Sequence, residues 1–132
     1  MDPQLALHLD ATRPELDVEG LDADELAVAR ALRWGRANAR QVRAISADAG
    51  LPARRTQEVI EQLIHAHGYP IGTSMAEPFG NYLIDSAEDL ACTVELLRGR
   101  GISNLARAAA LRGMSVRRFL EEVQADLLEG AA

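Results

Sequence analysis

The sequence contains no lysine, few aromatic residues and a single cysteine, Cys92. Aromatic residues make up 4% of the chain and hydrophobic residues 48%, so a core must be built from aliphatic side chains, which favours packed helices over a β-sandwich. One cysteine excludes a disulfide within the chain, as is usual in a reducing compartment. No apolar run reaches the roughly eighteen residues that are needed to span a membrane. The first residues also lack the basic segment followed by an apolar segment that is typical of a secretory signal. These absences predict a cytoplasmic protein with no membrane contact.

Charge is distributed unevenly along the chain, and the net charge of -6 hides this. Residues 1–26 carry eight acidic side chains and one arginine, whereas residues 27–55 carry seven arginines and one acid. Residues 56–132 carry six arginines and eleven acids. A partner is expected to respond to the local charge more than to the net charge, so the basic block beside the acidic segment predicts a polyanionic partner.

The length of 132 residues suits one domain with an appendage. We expect an acidic N-terminal arm at residues 1–20, a domain at residues 21–85 and C-terminal helices at residues 86–132. Leucines alternate at positions 5, 7 and 9 of the arm, which leaves open a short strand or a loosely docked, disordered segment.

Capping signals predict the first two helices. Asp22 followed by Glu25 forms a capping box for a helix that begins near Ala23 and ends at Gly35. The inward positions of this helix are expected at Leu26, Ala29 and Leu32. Asn38 and Gln41 predict the start of a second helix, and its inward positions are Val42, Ile45 and Ala49.

A third helix is expected at residues 52–66. Gly50 supplies a left-handed stop for the second helix, Leu51 enters the core and Pro52 opens the third helix. Its buried stripe is predicted at Thr56, Val59, Ile60, Leu63 and Ile64. Its outward side is predicted to carry Arg54, Glu58, Glu61 and His65, with Gln57 and Gln62 at the flanks and Arg55 toward one edge.

The rest of the chain predicts a β-hairpin and further helices. Strands are expected at residues 69–74 and 81–85, joined by a turn. Packing of Ile71, Tyr82 and Ile84 on the helices would stabilise this hairpin. Ser86 starts a fourth helix that Gly99 and Gly101 interrupt, Ser103 caps another, and a last helix follows Gly113 and Ser115 and ends near Glu129.

Three segments together resemble the winged helix-turn-helix superfamily, in particular small DNA-binding proteins of bacteria and phages. These are ISADAGLPARRTQEVI at 45–60, GYPIGTS at 68–74 and GNYLI at 80–84. The resemblance implies a mainly α fold with a small β-hairpin, extended by C-terminal helices. The chain departs from the pattern at Thr56, where valine is usual, and at the wing tip, which has no arginine or lysine.

This resemblance implies a non-enzymatic protein that binds double-stranded DNA as a transcriptional regulator, with residues 52–66 as its recognition helix. Arg54, Arg55 and Gln57 would lie nearest the bases, and arginines of the second helix would hold the phosphate backbone. The residues expected at the interface are Arg40, Arg43, Arg54, Arg55, Gln57, Glu58 and Gln62. The C-terminal helices would form a homodimer.

Other interpretations stay open. The acidic residues among the outward positions favour a winged helix that binds another protein, as an adaptor in replication or a phage-encoded partner. Residues 105–123 echo residues 42–60, which indicates a helical hairpin for packing or dimerisation, or else a second nucleic-acid-binding unit. His65 and His67 would point about 200° apart on a helix, so we expect no metal site, and no cofactor or catalytic set is expected.

Overall fold

The computed structural model describes residues 16–131 and is mainly helical with one small sheet, as the sequence predicted. The alternating leucines of the acidic arm lie outside these residues. The described α-helices are α1 (Ala23–Ala31), α2 (Val42–Ala49), α3 (Ala53–His65), α4 (Ala87–Leu111) and α5 (Val116–Ala131). The two strands are β1 (Ile71–Ser74) and β2 (Gly80–Leu83), and a short 3₁₀ turn covers Arg36–Asn38.

The chain divides into two compact units, and the boundary lies inside α4 between Thr93 and Val94. The sequence-based division at residues 85 and 86 coincides with the start of α4 instead. No helix in the described part of the chain combines the length and the apolar character that crossing a membrane requires.

The capping box of α1 is present, but the helix is shorter than predicted. The Asp22 carboxylate accepts from the Glu25 amide at 2.8 Å, and the Glu25 carboxylate accepts from the Asp22 amide at 3.0 Å. The helix ends at Ala31 and not at Gly35. The reason is pairing with β2, because the Leu83 amide donates to the carbonyl of Arg33 at 2.8 Å and the Gly35 amide donates to the carbonyl of Leu83 at 2.9 Å.

The buried side of α1 is also rotated relative to the prediction. Val28, Ala31 and Leu32 are buried, whereas Leu26 and Ala29 are half-buried. Glu25 lies on the inward side. Its carboxylate is satisfied there by the Asp22 amide and, at 2.9 Å, by the imidazole of His67. A charged residue on the core side is therefore tolerated, because each carboxylate oxygen has a hydrogen-bond partner.

The predicted cap of α2 at Asn38 is wrong. Asn38 ends the 3₁₀ turn, and its side-chain amide donates to the carbonyl of Trp34 at 2.9 Å. Helix α2 begins at Val42 after Gln41, which makes no side-chain capping bond. The left-handed stop at Gly50 is confirmed, with φ of 72°.

The turn between α2 and α3 is closed by local hydrogen bonds. The Leu51 amide donates to the carbonyl of Ser46 at 3.2 Å, and the Ser46 hydroxyl donates back to the carbonyl of Leu51. Pro52 precedes α3 instead of forming its first residue, with φ of -60° and ψ of 151°. The Thr56 hydroxyl donates to the carbonyl of Pro52 at 3.0 Å, so the polar group of a fully buried residue is satisfied.

Helices α1, α2 and α3 enclose the main core together with the hairpin. Its buried side chains are Val28, Ala31, Leu32, Ile45, Val59, Ile60, Leu63, Tyr69, Ile71 and Leu83. The predicted buried stripe of α3 is confirmed, and Ile64 packs at its margin. The hydrophobic side of α3 is thus fully used inside the fold, which leaves its polar side for solvent.

The hairpin strands pair antiparallel, with Ile71 opposite Leu83 and Ser74 opposite Gly80. Both strands are shorter than predicted, but the expected hairpin is confirmed. Isolated bridges join Trp34 and Arg40 to β2. Tyr82 and Ile84 pack with Ala39 in a second small core, so the hairpin is anchored on the segment between α1 and α2.

The predicted interruption near Gly99 and Gly101 is wrong, because α4 is continuous over 25 residues. Ser103 lies inside this helix and caps nothing. A glycine costs only about 1 kcal/mol relative to alanine inside a helix, which is insufficient to break a long one. Gly113, with φ of 65°, ends α4 as expected, and the Ser115 hydroxyl caps α5 by accepting from the Arg118 amide at 3.2 Å.

Candidate nucleic-acid interface

The outer side of α3 is exposed and polar. Arg54, Glu58, Glu61 and His65 are exposed there, as predicted from the helical spacing, and Gln57, predicted at the flank, is exposed as well. The Arg54 side chain is 94% exposed, and its Nε lies 3.9 Å from the Glu58 carboxylate. An exposed pair at this distance contributes little to stability, so the guanidinium of Arg54 can exchange this partner for a ligand.

A groove of about 560 Å³ runs beside this side of α3. It is lined by Val42, Arg54, Gln57, Glu58, Ile60, Glu61 and Asn81. Asn81 belongs to β2, and its side-chain amide lies 3.3 Å from the hydroxyl of Thr73. The polar side of α3 therefore forms one surface with the start of α2 and the hairpin.

Arg55 is held by carboxylates on two helices. Its Nε donates to Asp24 on α1 at 3.0 Å, and an Nη atom donates to Glu58 at 3.4 Å. The hydrogen bond with Asp24 raises the pKa of Arg55 above its usual range, with a smaller contribution from Glu58. The guanidinium links α3 to α1 and is less available than that of Arg54.

Arg40 is enclosed, with its side chain only 14% exposed. One Nη atom donates to the carbonyl of Ala31 at 3.0 Å and to the Asp48 carboxylate at 2.6 Å. Its backbone amide donates to the carbonyl of Asn81 at 2.9 Å and its carbonyl accepts from the Asn81 amide at 2.8 Å. Arg40 thereby joins the end of α1, α2 and β2, which is a positioning role.

Arg43 lies in a different environment from Arg40. It is exposed, at the edge of a second groove of about 600 Å³ between α2 and the hairpin tip. The tip contributes Glu77, Pro78 and Phe79 to this groove. Met75 and Phe79 are exposed, so the tip presents apolar side chains and a carboxylate.

Glu58 and Gln62 complete the set of predicted residues. Glu58 is exposed and lies within reach of both Arg54 and Arg55, so the three side chains form one cluster. Gln62 is half-buried and does not line the groove beside α3. The structure thus brings Arg54, Gln57 and Glu58 together at one groove, whereas Arg40 is enclosed and does not line it.

The groove also contains polar residues outside the predicted interface set, namely Glu61, whose outward position the helical spacing predicted, and Asn81, which the sequence analysis did not select. The place of Asn81 depends on the backbone pairing with Arg40, which is 41 positions earlier in the chain. The motif GNYLI located the strand but gave no signal for this long-range bridge.

Among the described residues, no group of three or more His, Cys, Asp or Glu side chains is arranged to hold a metal ion. His65 bonds to Glu61 at 3.0 Å and His67 to Glu25 at 2.9 Å. Comparisons of the chain with protein-family models, with curated proteins and with solved structures find no match.

Proposed function

We propose that this protein is a non-enzymatic DNA-binding protein of the winged helix-turn-helix type, acting as a transcriptional regulator. In this proposal α3 enters the major groove of double-stranded DNA, and the hairpin is the wing. The support from the fold is the order of elements, in which two helices joined at a glycine turn precede a hairpin anchored beside them.

The observation that carries the proposal is the two-sided character of α3. Its apolar side is buried in the core, while Arg54, Gln57 and Glu58 form an exposed polar row at its first turns. Arginine and glutamine make paired hydrogen bonds with the major-groove edges of guanine and adenine, and glutamate accepts from cytosine. Helix-turn-helix proteins contact bases with the first turns of their recognition helix.

The exposure and contacts of the individual side chains support a division of roles within this proposal. Arg54 and Gln57 are assigned to base edges and Arg43 to a phosphate, because these side chains are exposed. Arg55 orients Glu58 and links α3 to α1, whereas Arg40 holds the scaffold from inside.

The test is fluorescence anisotropy of labelled duplex DNA against a salt series, with the wild-type chain and Arg54→Ala. We expect binding that weakens with salt, and a loss of about fivefold to a hundredfold in affinity for the variant at a preferred sequence. For Arg43→Ala we expect weaker binding to all sequences and a salt dependence reduced by about one counterion.

Arg98→Ala is the matched control. Arg98 is exposed and pairs weakly with Glu95 at 3.8 Å, as Arg54 does with Glu58. An equal loss of affinity in both variants would show that the effect comes only from the change in net charge, which would contradict a role for α3. Absence of binding at low salt would contradict the proposal altogether.

A second candidate is a winged helix that binds another protein, and the electrostatics of the groove favour it. The groove beside α3 carries Glu58 and Glu61 against the single cation Arg54. The hairpin tip adds exposed Met75 and Phe79, and exposed aromatic side chains are typical of protein interfaces. In this case the wild-type chain would not bind DNA at low salt. It would capture a specific protein, and Phe79→Ala would abolish this capture.

A further inference from the structure

Helix α5 carries an exposed apolar seam. Its members are Val116, Leu120, Val123 and Leu127, separated by four, three and four residues. This alternation is the spacing of core positions in a coiled coil. Val116, Leu120 and Leu127 are exposed, and the exposed fraction reaches 69% at Leu127.

The unit that contains α5 has no core that accounts for this seam. Among the described residues 94–130, only Ala109 is buried. Helices gain most of their stability from packing an apolar side. A seam with three exposed aliphatic residues and the half-buried Val123 therefore indicates a partner.

The charges on α5 indicate what this partner is. Arg117 and Arg118 lie in its first turn, and four acids follow at Glu121, Glu122, Asp126 and Glu129. The helix is thus basic at its start and acidic at its end, with a net negative charge. This net charge disfavours nucleic acid and anionic membranes as occupants, whereas an antiparallel copy of the helix places each basic end beside an acidic end.

We propose that the seam is covered by α5 of a second copy of this chain, in an antiparallel pair with two-fold symmetry. Val116 then lies opposite Leu127 of the second copy, and Leu120 lies opposite its Val123. The axis passes between Glu121 and Glu122, so each contact occurs twice, as a symmetric dimer requires. A parallel pair would place Arg117 and Arg118 beside their own copies, which is repulsive, whereas the antiparallel register places Arg117 level with Asp126 of the second copy. The carboxylates that meet near the axis, Glu121 and Glu122, already pair within the chain with Arg117 at 3.8 Å and Arg112 at 3.9 Å.

Sedimentation of the full chain over a concentration series tests the proposal. We expect wild-type protein to form a dimer and the double variant Leu120→Glu/Leu127→Glu to dissociate at least about tenfold more readily. Both substitutions replace exposed side chains, so the helices of each copy are retained, and circular dichroism verifies this.

Leu128→Glu is the matched control. Leu128 is 65% exposed and adjacent to Leu127, but it points about 100° away from the seam. We expect this variant to dimerise like the wild type. A monomeric wild type at about 0.5 mM, a dimer unaffected by the double variant, or equal disruption by Leu128→Glu would each overturn the proposal.

Spin labels test the antiparallel direction. In a Cys92→Ser background, labels at Glu121→Cys are near the axis and labels at Glu129→Cys are far from it. At 1.5 Å per residue the second pair is separated along the helix axis by about 20 Å more than the first. Because the two helices also lie about 10 Å apart, the measured distance should be longer by about 10 Å or more. Equal distances would indicate a parallel pair and overturn the proposed arrangement, whatever the outcome of the DNA experiments.

Discussion

At the scale of single residues, the arginines differ in what they can still bind. Arg40 donates to Ala31 and Asp48 and has little exposed surface, while Arg54 has one weak partner in water. Breaking the contacts of Arg40 to reach a phosphate would leave a buried carbonyl without a donor, which costs about 1–3 kcal/mol. Arg54 gives up only an exposed ion pair, so it is the arginine suited to a ligand.

The two tyrosines provide a pH-dependent measure of the fold. Burial raises the pKa of Tyr69 and of Tyr82 above the ordinary value, with the Asp17 and Glu25 carboxylates adding to the effect at Tyr69. The Tyr69 hydroxyl donates to the carbonyl of Asp17 at 3.0 Å. The folded state therefore holds both phenolic protons more tightly than the unfolded chain does.

We expect the free energy of unfolding to be insensitive to these groups below about pH 10. It should fall as pH rises above that value, because the unfolded chain ionises first. The chain contains only two tyrosines, so the ultraviolet absorbance of tyrosinate reports them directly. Native protein should titrate at higher pH than protein in denaturant, and Tyr69→Phe identifies the contribution of Tyr82. Coincident titration curves would contradict the burial of both rings.

At the scale of elements, the first three helices follow from local signals and the exceptions follow from long-range contacts. The start of α1 was predicted correctly from Asp22 and Glu25, and the end of α2 from Gly50, because capping depends on neighbours in sequence. The early end of α1 and the failed cap at Asn38 arise from pairing with β2, which local patterns do not encode. Enclosure of Arg40 has the same origin, since its backbone pairs with Asn81 of β2, 41 residues later.

Two glycines show how position decides the effect of the same substitution. Gly80 has φ of 126°, and a Cβ there would overlap the backbone of Arg40. Gly99 lies inside α4, where a Cβ would meet nothing within 4 Å. We expect Gly80→Ala to lower the free energy of unfolding by about 2 kcal/mol or more, and Gly99→Ala to raise it by about 0.5–1 kcal/mol.

Urea denaturation measures both variants. The single Trp34 lies in the unit that contains Gly80, so its fluorescence follows the first variant, and far-ultraviolet circular dichroism follows the second. Gly80→Ala with unchanged stability would contradict the close approach of the hairpin to Arg40. A destabilising Gly99→Ala would contradict a continuous helix α4.

At the scale of the whole molecule, the basic block of the sequence does not become a uniformly basic surface. Of its arginines, Arg40 pairs with Asp48, Arg55 with Asp24 and Arg36 with Asp89 at 3.6 Å. A chain with net charge -6 and few unpaired arginines on its proposed DNA surface gains little from non-specific attraction. Two copies of that surface in one dimer would offset this weakness through a higher effective concentration.

We therefore expect the seam variant Leu120→Glu/Leu127→Glu to change DNA binding although it leaves α3 intact. If both recognition helices of a dimer engage one duplex, the plot of log affinity against log salt should be about half as steep for the monomeric variant. Leu128→Glu should keep the wild-type slope. A variant that is monomeric but has the wild-type slope would show that one copy makes all of the phosphate contacts, which would separate dimerisation through α5 from DNA binding through α3.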